Sequence, residues 1–370
     1  MLPYLYEKFG NASSVHFFGQ EARSAVDRAR REVAALIGAR SNEIVFVSGG
    51  TEANNLAIRG VTSGSPKRHV ITSAIEHPSV RGTCDELEKQ GWEITRLPVY
   101  EDGIVRLEDL GQTLRPDTVL ISVMLANNEI GTLQPIAEIG KLVREERQRG
   151  KQLWLHTDAV QAAGRVPLDV ESLGCDLLSL SAHKLYAPKG AGALFVRRGV
   201  RLQPQSVGGH QEREKRAGTE AVPAIVALGV AAKLAREEMM GRSAHDARLR
   251  DRFESSVAAL IPDIVFNGDR TRRLPHIANI SFRFIEGEGL LISLDLQGIA
   301  VSTGSACSSG TLEPSPVIQA LGRNDELSRG AIRFSFGKDN CDLDVDYVLD
   351  VLPRVVEKLR ALSPLNKVPA

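Results

Sequence analysis

The sequence has few cysteines and no paired cysteine motif. Its 370 residues include four cysteines, Cys84, Cys175, Cys307 and Cys341, which are widely spaced and form no C-x-x-C pair. We therefore expect neither a disulfide framework nor a zinc site, and a reducing cytoplasm is the compartment that fits best.

Excess charge and long apolar runs are also lacking. Lys plus Arg and Asp plus Glu both number 46, so no strong field is available to recruit nucleic acid or an anionic membrane. No apolar run approaches the length of a membrane span, and the first residues lack the basic and apolar regions of a signal peptide. A composition of 42 % apolar and 25 % charged residues is typical of a soluble globular protein, here with about two domains.

Short apolar strands alternate with amphipathic helices up to about residue 222. A helix is predicted over residues 17–37, and each strand leads into a polar turn. The predicted strands cover residues 44–47, 69–72, 119–124, 153–155 and 177–180. This alternation predicts an α/β fold with a mostly parallel central sheet covered by helices on both faces.

The pattern changes after residue 222. Two helices are predicted over residues 224–240 and 245–260, followed by a half-exposed strand, a short helix, a second strand and a closing helix. These last four elements cover residues 277–284, 289–296, 331–336 and 344–362. We expect a smaller antiparallel α+β domain. The predicted division is an irregular N-terminal segment (1–16), a large domain (17–235) and a small C-terminal domain (236–370).

Polar groups of different chemical kinds follow five of the predicted strands. Each has a sound interpretation as a turn or a helix cap, but parallel strands bring their carboxyl ends to one crevice. The groups are the hydroxyls and glycines of residues 48–51, His77, Asn128, Asp158 with Gln161, and His183 with Lys184. Five together, one carrying a lysine, indicate a ligand site.

Lys184 is the residue around which this site is organised. A lysine past the end of a buried strand is costly to desolvate unless it has a chemical task, such as a Schiff base with pyridoxal phosphate. Residues 181–190 alone favour a surface lysine in a Gly- and Pro-containing loop, whereas the rest of the chain favours the cofactor. That cofactor needs an amine, phosphate donors, a carboxylate and a ring partner. The candidates are Lys184 for the aldehyde, Gly50, Thr51, Ser181 and His183 for the phosphate, Asp158 for the ring nitrogen, Gln161 for the ring hydroxyl and His77 for the ring face.

Three further features have both a functional and a structural interpretation. Residues 302–311 are small and polar and predict a loop, in which Cys307 is either a reactive thiol or an incidental cysteine. Residues 208–220 are either a surface loop or a segment that reaches a neighbouring subunit's phosphate site with Arg216 and Thr219. Arg333, in a predicted strand, is either a clamp for a substrate carboxylate or a salt-bridged strand arginine.

Eight motifs, in order, resemble those of the cysteine desulfurases, nearest to the NifS branch and close to the IscS type. The resemblance runs from about residue 4 to residue 362. The motifs are Ser-Gly-Gly-Thr-Glu, Glu-His-Pro, Asn-Asn-Glu-Ile-Gly, Thr-Asp-Ala-Val-Gln, Ser-Ala-His-Lys, Gly-Gly-His-Gln-Glu, Arg-Ala-Gly-Thr-Glu and Gly-Ser-Ala-Cys-Ser-Ser-Gly.

The resemblance implies a class V aminotransferase of fold type I, a homodimer with pyridoxal 5'-phosphate on Lys184. It implies conversion of L-cysteine to L-alanine, with a persulfide on Cys307 that supplies an iron–sulfur scaffold or another acceptor protein. His77 would donate or accept protons, and Thr219 would reach the partner's cofactor. Asn128, near the cofactor, and Arg333 would hold the substrate carboxylate, helped by Asn11. No metal site is implied beyond a transient iron–sulfur contact at Cys307.

The chain departs from this family at its start. Family members begin some two dozen residues earlier, with a strand carrying an Asp-Asn-Ala-Thr-Thr-like motif that this sequence lacks. One alternative is another enzyme of the same fold, a selenocysteine lyase or another class V aminotransferase. An inactive sulfur-carrying or scaffold protein, suggested by the missing segment, is the other.

Overall fold

The chain folds into two compact units. The structure is a computed structural model that describes residues 1–66, 68–304 and 314–364. The large unit comprises Met1–Leu97, Leu107–Leu125 and Gln134–Met239, and the small unit comprises Pro98–Arg106, Ala126–Leu133 and the chain from Met240 onward. Among the described residues, none of the helices has the length and apolar character needed to cross a membrane.

A seven-stranded sheet forms the centre of the large unit. Its strands are β1 (Ile44–Val47), β2 (His69–Ser73), β3 (Glu93–Leu97), β4 (Thr118–Ser122), β5 (Trp154–Asp158), β6 (Leu177–Ser181) and β7 (Gly192–Val196). Their order is β1-β7-β6-β5-β4-β2-β3. Only β7 runs against its neighbours, so the other six strands share one direction. The predicted α/β fold with a mostly parallel sheet is confirmed.

Helices cover this sheet. They are α1 (Pro3–Tyr6), α2 (Phe17–Leu36), α3 (Gly50–Thr62), α4 (Pro78–Lys89), α5 (Leu107–Thr113), α6 (Ile136–Gln148), α7 (Val170–Leu173) and α8 (Val222–Leu260), whose last 21 residues belong to the small unit. Leu56 of α3 and Val80 of α4 pack with Leu120 and Leu177 of the sheet. Strands β1, β4, β6 and β7 are buried on both faces, as in a parallel sheet covered by helices, whereas the edge strand β3 is partly exposed.

The small unit contains a three-stranded antiparallel sheet. Its strands are β8 (Ile264–Phe266), β9 (Ile277–Phe282) and β10 (Ala331–Ser335), in the order β10-β9-β8. The remaining helices are α9 (Gly287–Asp295), α10 (Pro316–Ala320), α11 (Asp325–Arg329) and α12 (Asp342–Leu362). Phe253 of α8 packs on Phe334 of β10 with ring centroids 4.7 Å apart. The expected antiparallel α+β unit is confirmed.

Three predictions about local structure were wrong. The two helices predicted over residues 224–240 and 245–260 are one helix of 39 residues, because the residues between them contain no proline and a single glycine costs only about 1 kcal/mol. Residues 3–6 form a short helix rather than irregular chain. Strand β9 is buried on both faces, not half-exposed. Its polar Asn279 and Ser281 are satisfied inside the unit by Asn267, whose Nδ2 donates to Asn279 Oδ1 (2.8 Å) and Ser281 Oγ (2.7 Å).

A buried ion pair holds the loop of residues 208–220. Glu212, Arg213 and Glu214 have φ values of 46°, 56° and 63°, a left-handed conformation that costs about 1–2 kcal/mol for each non-glycine residue. The Glu212 carboxylate accepts hydrogen bonds from Arg30 Nη1 (2.6 Å), Arg30 Nη2 (2.7 Å) and the amide of Phe46 (3.0 Å). The turn therefore persists because its first side chain is clamped to α2 and β1.

Replacing Glu212 with alanine should destabilise the large unit strongly. The change removes the carboxylate that is hydrogen-bonded to the buried Arg30 guanidinium and leaves it with the more distant Glu220 carboxylate, 4.0 Å away. Breaking a buried ion pair in this way costs about 3–5 kcal/mol. Urea unfolding followed by tryptophan fluorescence measures the effect, because Trp92 and Trp154 both lie in the large unit. His210→Ala is the control, since that exposed ring lies in the same loop and pairs with the exposed Glu214. Equal unfolding midpoints for the two variants would contradict the role of the ion pair.

Candidate active site

Functional side chains meet at one edge of the large sheet. Strands β1, β2, β5 and β6 point the same way, so the residues that follow them lie at their common carboxyl edge. These residues are Gly49, Gly50 and Thr51 after β1, Glu76 and His77 after β2, Asp158 at the end of β5, and Ser181, His183 and Lys184 at the end of β6. The structure thus brings together the predicted lysine, carboxylate, histidine and glycine turn.

Asp158 supplies a buried carboxylate at the centre of this edge. Asp158 is only 5 % exposed. Oδ1 accepts from the amide of Val160 (2.9 Å), and Oδ2 accepts from Nδ2 of Asn54 (2.7 Å). Burial raises the pKa of Asp158, and these two hydrogen bonds oppose that rise. A cation such as a protonated ring nitrogen would offset the remaining cost of the buried charge.

His77 lies at the start of α4, within electrostatic range of both Asp158 and Lys184. Its Nδ1 accepts from the amide of Ser79 (3.1 Å) and lies 2.8 Å from Ser79 Oγ. Burial lowers the pKa of His77; the charge of Asp158 opposes this, while those of Lys184 and Arg81 add to it. The histidine is therefore favoured as a neutral ring.

Lys184 lies on a short 3₁₀ turn, Ala182–Leu185, directly after β6. Ala182 and Leu185 are buried and fix the turn, while the lysine itself is exposed. Burial lowers the pKa of the neighbouring His183, and the charge of Lys184 lowers that pKa further. The turn thus presents an amine beside two rings that its charge helps to keep neutral.

The start of α3 forms a cradle suited to an anion. A Cβ on Gly50 would lie 2.9 Å from Val160 Cγ2 and 3.4 Å from Ser181 Cβ, so glycine lets the helix approach β6 closely. Ser181 Oγ lies 2.9 Å from His183 Nδ1. Thr51 is exposed in the first turn of this 13-residue helix. Free backbone N–H groups and the helix dipole make such a terminus a phosphate site.

The remaining predicted residues of the large unit lie in turns. Gln161 is half-buried just after Asp158, and Thr219 is exposed in the clamped loop. Arg216 of that loop binds Glu52 in the first turn of α3, with Nε 2.8 Å from Oε1. Asn11 is exposed, and its Oδ1 accepts from the amide of Ser13 (2.9 Å). The roles predicted for these side chains stay predictions.

Asn128 and Arg333 meet in the small unit. Nη1 of Arg333 donates to the carbonyl oxygen of Asn128 at 2.7 Å. The side-chain oxygen of Asn128 is buried and has no hydrogen-bond partner among the described residues. Arg333 also pairs through its backbone with Ser302. Cys307 lies outside the described residues.

Glu129, which the sequence analysis left without a role, contacts both described flanks of residues 305–313. Its Oε2 accepts from Ser315 Oγ at 2.6 Å. A Cβ on Gly304 would lie 1.9 Å from the same oxygen, so only glycine fits there. Glu129 thus holds residues 304 and 315 to one buried carboxylate.

Two cysteines are buried among apolar residues. Burial raises the pKa of the Cys84 and Cys175 thiols to about 12, so neither is a thiolate near neutral pH. Cys341 is exposed at the start of α12. Of the cysteines in the described residues, only Cys341 is accessible.

Asn54, Ser79 and Glu76 were also missed. Asn54 carried a signal that could have been used, because helical spacing puts this polar residue on the apolar face of α3 with Ala53 and Ala57. Ser79 and Glu76 gave no such signal, since both resemble ordinary residues of a helix start.

Glu76 is a buried acid beside His77. Its Oε1 accepts from Ser73 Oγ (2.6 Å) and from the amide of Met124 (2.9 Å), whereas Oε2 has no hydrogen-bond partner in the described part of the chain. Burial raises the pKa of Glu76 from 4.5 to about 8. The native carboxyl therefore keeps its proton at neutral pH.

Glu76→Gln should make stability less dependent on pH. The unfolded carboxyl loses its proton above pH 4.5 while the native one keeps it to about pH 8, so this group lowers native stability as pH rises between those values. The free energy of unfolding of the variant, minus that of the wild type, should rise by up to about 1.4 kcal/mol per pH unit. Urea unfolding from pH 5 to pH 8 tests this, with Glu86→Gln on the surface of α4 as control. A difference that stays constant across the range contradicts the protonated carboxyl.

Comparisons with known proteins agree with this architecture. The family Aminotransferase class-V matches residues 1–348. Cysteine desulfurase IscS of Dictyoglomus turgidum is 50 % identical over 369 residues, which cover 99 % of this chain and 92 % of that protein. A solved NifS-like protein superposes with a TM-score of 0.90 at 35 % identity, covering 97 % of this chain and 94 % of its own. The structure of SspA in complex with cysteine superposes with a TM-score of 0.80 at 34 % identity, covering 90 % and 93 %. The chain therefore belongs to the class-V aminotransferases and, within them, to the family of cysteine desulfurases of the NifS and IscS type.

Proposed function

We propose that this protein is a pyridoxal-phosphate-dependent cysteine desulfurase. It converts L-cysteine to L-alanine and transfers the sulfur to Cys307 as a persulfide. The observation that carries the proposal is the placement of Asp158 and Lys184 at the carboxyl ends of adjacent parallel strands, with His77 in electrostatic range of both. The names of the relatives, and the cysteine bound to SspA, support cysteine as the substrate.

The residues at the sheet edge fit pyridoxal phosphate. The buried Asp158 carboxylate suits a pyridinium nitrogen, and the open space beside Gly49 leaves room for a phosphate at the start of α3. When bound, the cofactor supplies an electron sink next to the substrate Cα. The residues that would hold it are Lys184 at the aldehyde, Gly50, Thr51, Ser181 and His183 at the phosphate, Asp158 and Gln161 at the ring edge, and His77 and Asn128 beside the ring.

The protein groups carry out the proton and sulfur transfers. Lys184, an amine at the carboxyl edge of the sheet, would move the Cα proton. The Cys307 thiolate then attacks the substrate sulfur: an S–S bond forms, the C–S bond breaks, and the carbon left behind is protonated to give alanine. L-cysteine and the Cys307 thiol thus give L-alanine and a Cys307 persulfide, with no external oxidant or reductant.

Arg333 and Asn128 would bind the substrate carboxylate, with help from Asn11. The Arg333–Asn128 hydrogen bond orients the guanidinium, and the buried Asn128 amide oxygen has no partner among the described residues. A guanidinium offers a carboxylate two parallel donors, whereas an ammonium offers a point charge.

Arg333→Lys should weaken cysteine binding while leaving the cofactor in place. Loss of a charge-assisted hydrogen bond to the carboxylate should raise KM by about tenfold or more. Steady-state alanine release measures KM, and the visible absorbance of bound cofactor reports its retention. Arg329→Lys, on the exposed end of α11, is the matched control. An unchanged KM in Arg333→Lys would argue against the clamp.

Cys307→Ser should abolish the persulfide and alanine release but leave cofactor absorbance unchanged. Serine keeps the size of the side chain but is a far weaker nucleophile at neutral pH. A thiol-specific persulfide label and an alanine assay give the two readouts. Cys341→Ser is the control, because it removes an exposed thiol to which we assign no role. Full cysteine desulfuration by Cys307→Ser would show that another group accepts the sulfur.

We also propose that the enzyme is a cytoplasmic homodimer in which Thr219 reaches the partner's cofactor. Support comes from large apolar side chains near the N-terminus that are strongly exposed in the single chain, including Phe9 (80 %), Val15 (91 %) and Phe17 (75 %). Exposed apolar patches of this kind mark interfaces. Residues 1–16 would lie there, residues 17–235 would bind the cofactor, and residues 236–370 would present Cys307.

The sulfur acceptor would be an iron–sulfur scaffold or another acceptor protein, with a transient iron–sulfur contact at Cys307. This proposal follows from the IscS-named relatives. We put forward neither the selenocysteine lyase or aminotransferase alternative nor the inactive carrier, because the matching relatives reported above are named cysteine desulfurase or NifS-like.

A further inference from the structure

The hydrogen bonds around His77 define which ring nitrogen carries its proton. The backbone amide of Ser79 can only donate, and it donates to Nδ1 at 3.1 Å. Nδ1 must therefore present a lone pair, and the proton of the neutral ring is on Nε2. His77 is also the N-cap of the 12-residue helix α4, where a lone pair is favoured over a proton.

A directed chain of hydrogen bonds reinforces this arrangement. Asn54 Nδ2 donates to Ser79 Oγ at 2.8 Å, so the hydroxyl oxygen is used as an acceptor from Asn54. The Ser79 hydroxyl hydrogen is then free to donate to His77 Nδ1, 2.8 Å away. The direction of donation runs from Asn54 through Ser79 to His77.

Asp158 determines the orientation of the Asn54 amide, which is the first donor in this series of hydrogen bonds. The second hydrogen on Asn54 Nδ2 is donated to Asp158 Oδ2 at 2.7 Å. A flipped amide would put Asn54 Oδ1 against a carboxylate, so the amide orientation is determined by the charge. Asn54 and Asp158 are 1 % and 5 % exposed, and water therefore does not compete.

The surrounding charges also bear on protonation of His77. Lys184, on the turn after β6, and Arg81, on α4, disfavour a second positive charge, as does burial. Asp158, at the end of β5, favours it, but its Oδ1 and Oδ2 already accept from Val160 and Asn54. Glu76, the nearest other acid, is largely protonated at neutral pH and adds little charge.

We propose that Asn54 and Ser79 are positioning residues that hold His77 as a neutral imidazole protonated on Nε2. In this state Nε2 of His77 is a hydrogen-bond donor and has no lone pair with which to accept a proton. The use of this state in turnover rests on the proposed function. There, His77 would donate a proton or a hydrogen bond, whereas the sequence had left both donation and acceptance open. The protonation state itself is a property of the folded chain.

Nitrogen-15 NMR of histidine-labelled holoenzyme tests the assignment directly. The chain has eight histidines, and the His77 signals are identified as those lost in His77→Gln. At pH 7 to pH 8 we expect a non-protonated Nδ1 and a protonated Nε2, and we expect the ring to take up a second proton only below pH 6.5. A proton on Nδ1, or a doubly protonated ring at pH 7, would overturn the proposal.

Two variants test the positioning residues. Ser79→Ala removes one of two hydrogen bonds to Nδ1, so the proton affinity of His77 should rise roughly tenfold and its titration midpoint should move to higher pH. Asn54→Ala should shift the titration in the same direction. Asn55→Ala is the matched control, because Asn55 donates within its own helix to the carbonyl oxygen of Thr51 (3.0 Å). A merely structural role would lower unfolding midpoints and leave the titration unchanged, which would contradict the proposal for these residues.

The two proposals fail in distinguishable ways. If cysteine is not a substrate, alanine release is absent while the His77 spectrum still shows the Nε2 proton. If instead the spectrum shows a proton on Nδ1 while alanine release is normal, the positioning role is wrong and the desulfurase stands. The wild-type spectrum alone decides the protonation state even when a variant fails to fold.

Discussion

A buried carboxylate is the constraint on which the site depends. Asp158 lies at the end of a central strand, out of contact with bulk water, and burial alone disfavours its charge. Two donors, the Val160 amide and Asn54, partly compensate. A nearby cation would offset the rest of this cost. The buried carboxylate is therefore the physical feature that best supports the proposed binding of a pyridinium ring at this edge of the sheet.

The parallel sheet explains why the other groups meet at this carboxylate. Strands that run in one direction deliver their following turns to one edge, and the buried apolar strands fix the positions of those turns. Close packing then depends on glycine at Gly50, which lets the start of α3 approach Ser181. The cradle, the amine and the carboxylate are therefore consequences of one architecture rather than separate features.

In the proposed function, the small unit presents Cys307 and binds the substrate carboxylate with residues from segments far apart in the sequence. Buried polar contacts join these segments: Arg333 binds the backbone of Asn128, and Glu129 contacts residues 304 and 315 on either side of the Cys307 segment. The same motif, Asn127 to Glu129, thus contributes both to the proposed substrate clamp and to the anchoring of the loop flanks.

The residue pattern alone predicted the parallel strands and the chemical groups that follow them. Apolar runs of four or five residues, each followed by a polar turn, predicted the parallel sheet and placed Lys184, Asp158 and His77 at its edge. The alternating pattern wrongly predicted a half-exposed strand at β9, because its polar residues Asn279 and Ser281 are buried with hydrogen-bond partners. The residue pattern also predicted two helices over residues 224–240 and 245–260, where the structure has the single helix α8.

Partnerships between distant side chains required the folded chain. Asn54 and Asp158 are about a hundred positions apart, and nothing local to either residue indicates that they share a hydrogen bond. The Arg30–Glu212 pair and the contacts of Glu129 are of the same kind. The kinds of residue needed for the chemistry can thus be recognised from short stretches of sequence, because strands and turns depend mainly on neighbouring residues. Protonation states and anchoring contacts arise only when packing removes water and leaves each buried polar group to find its partner in space.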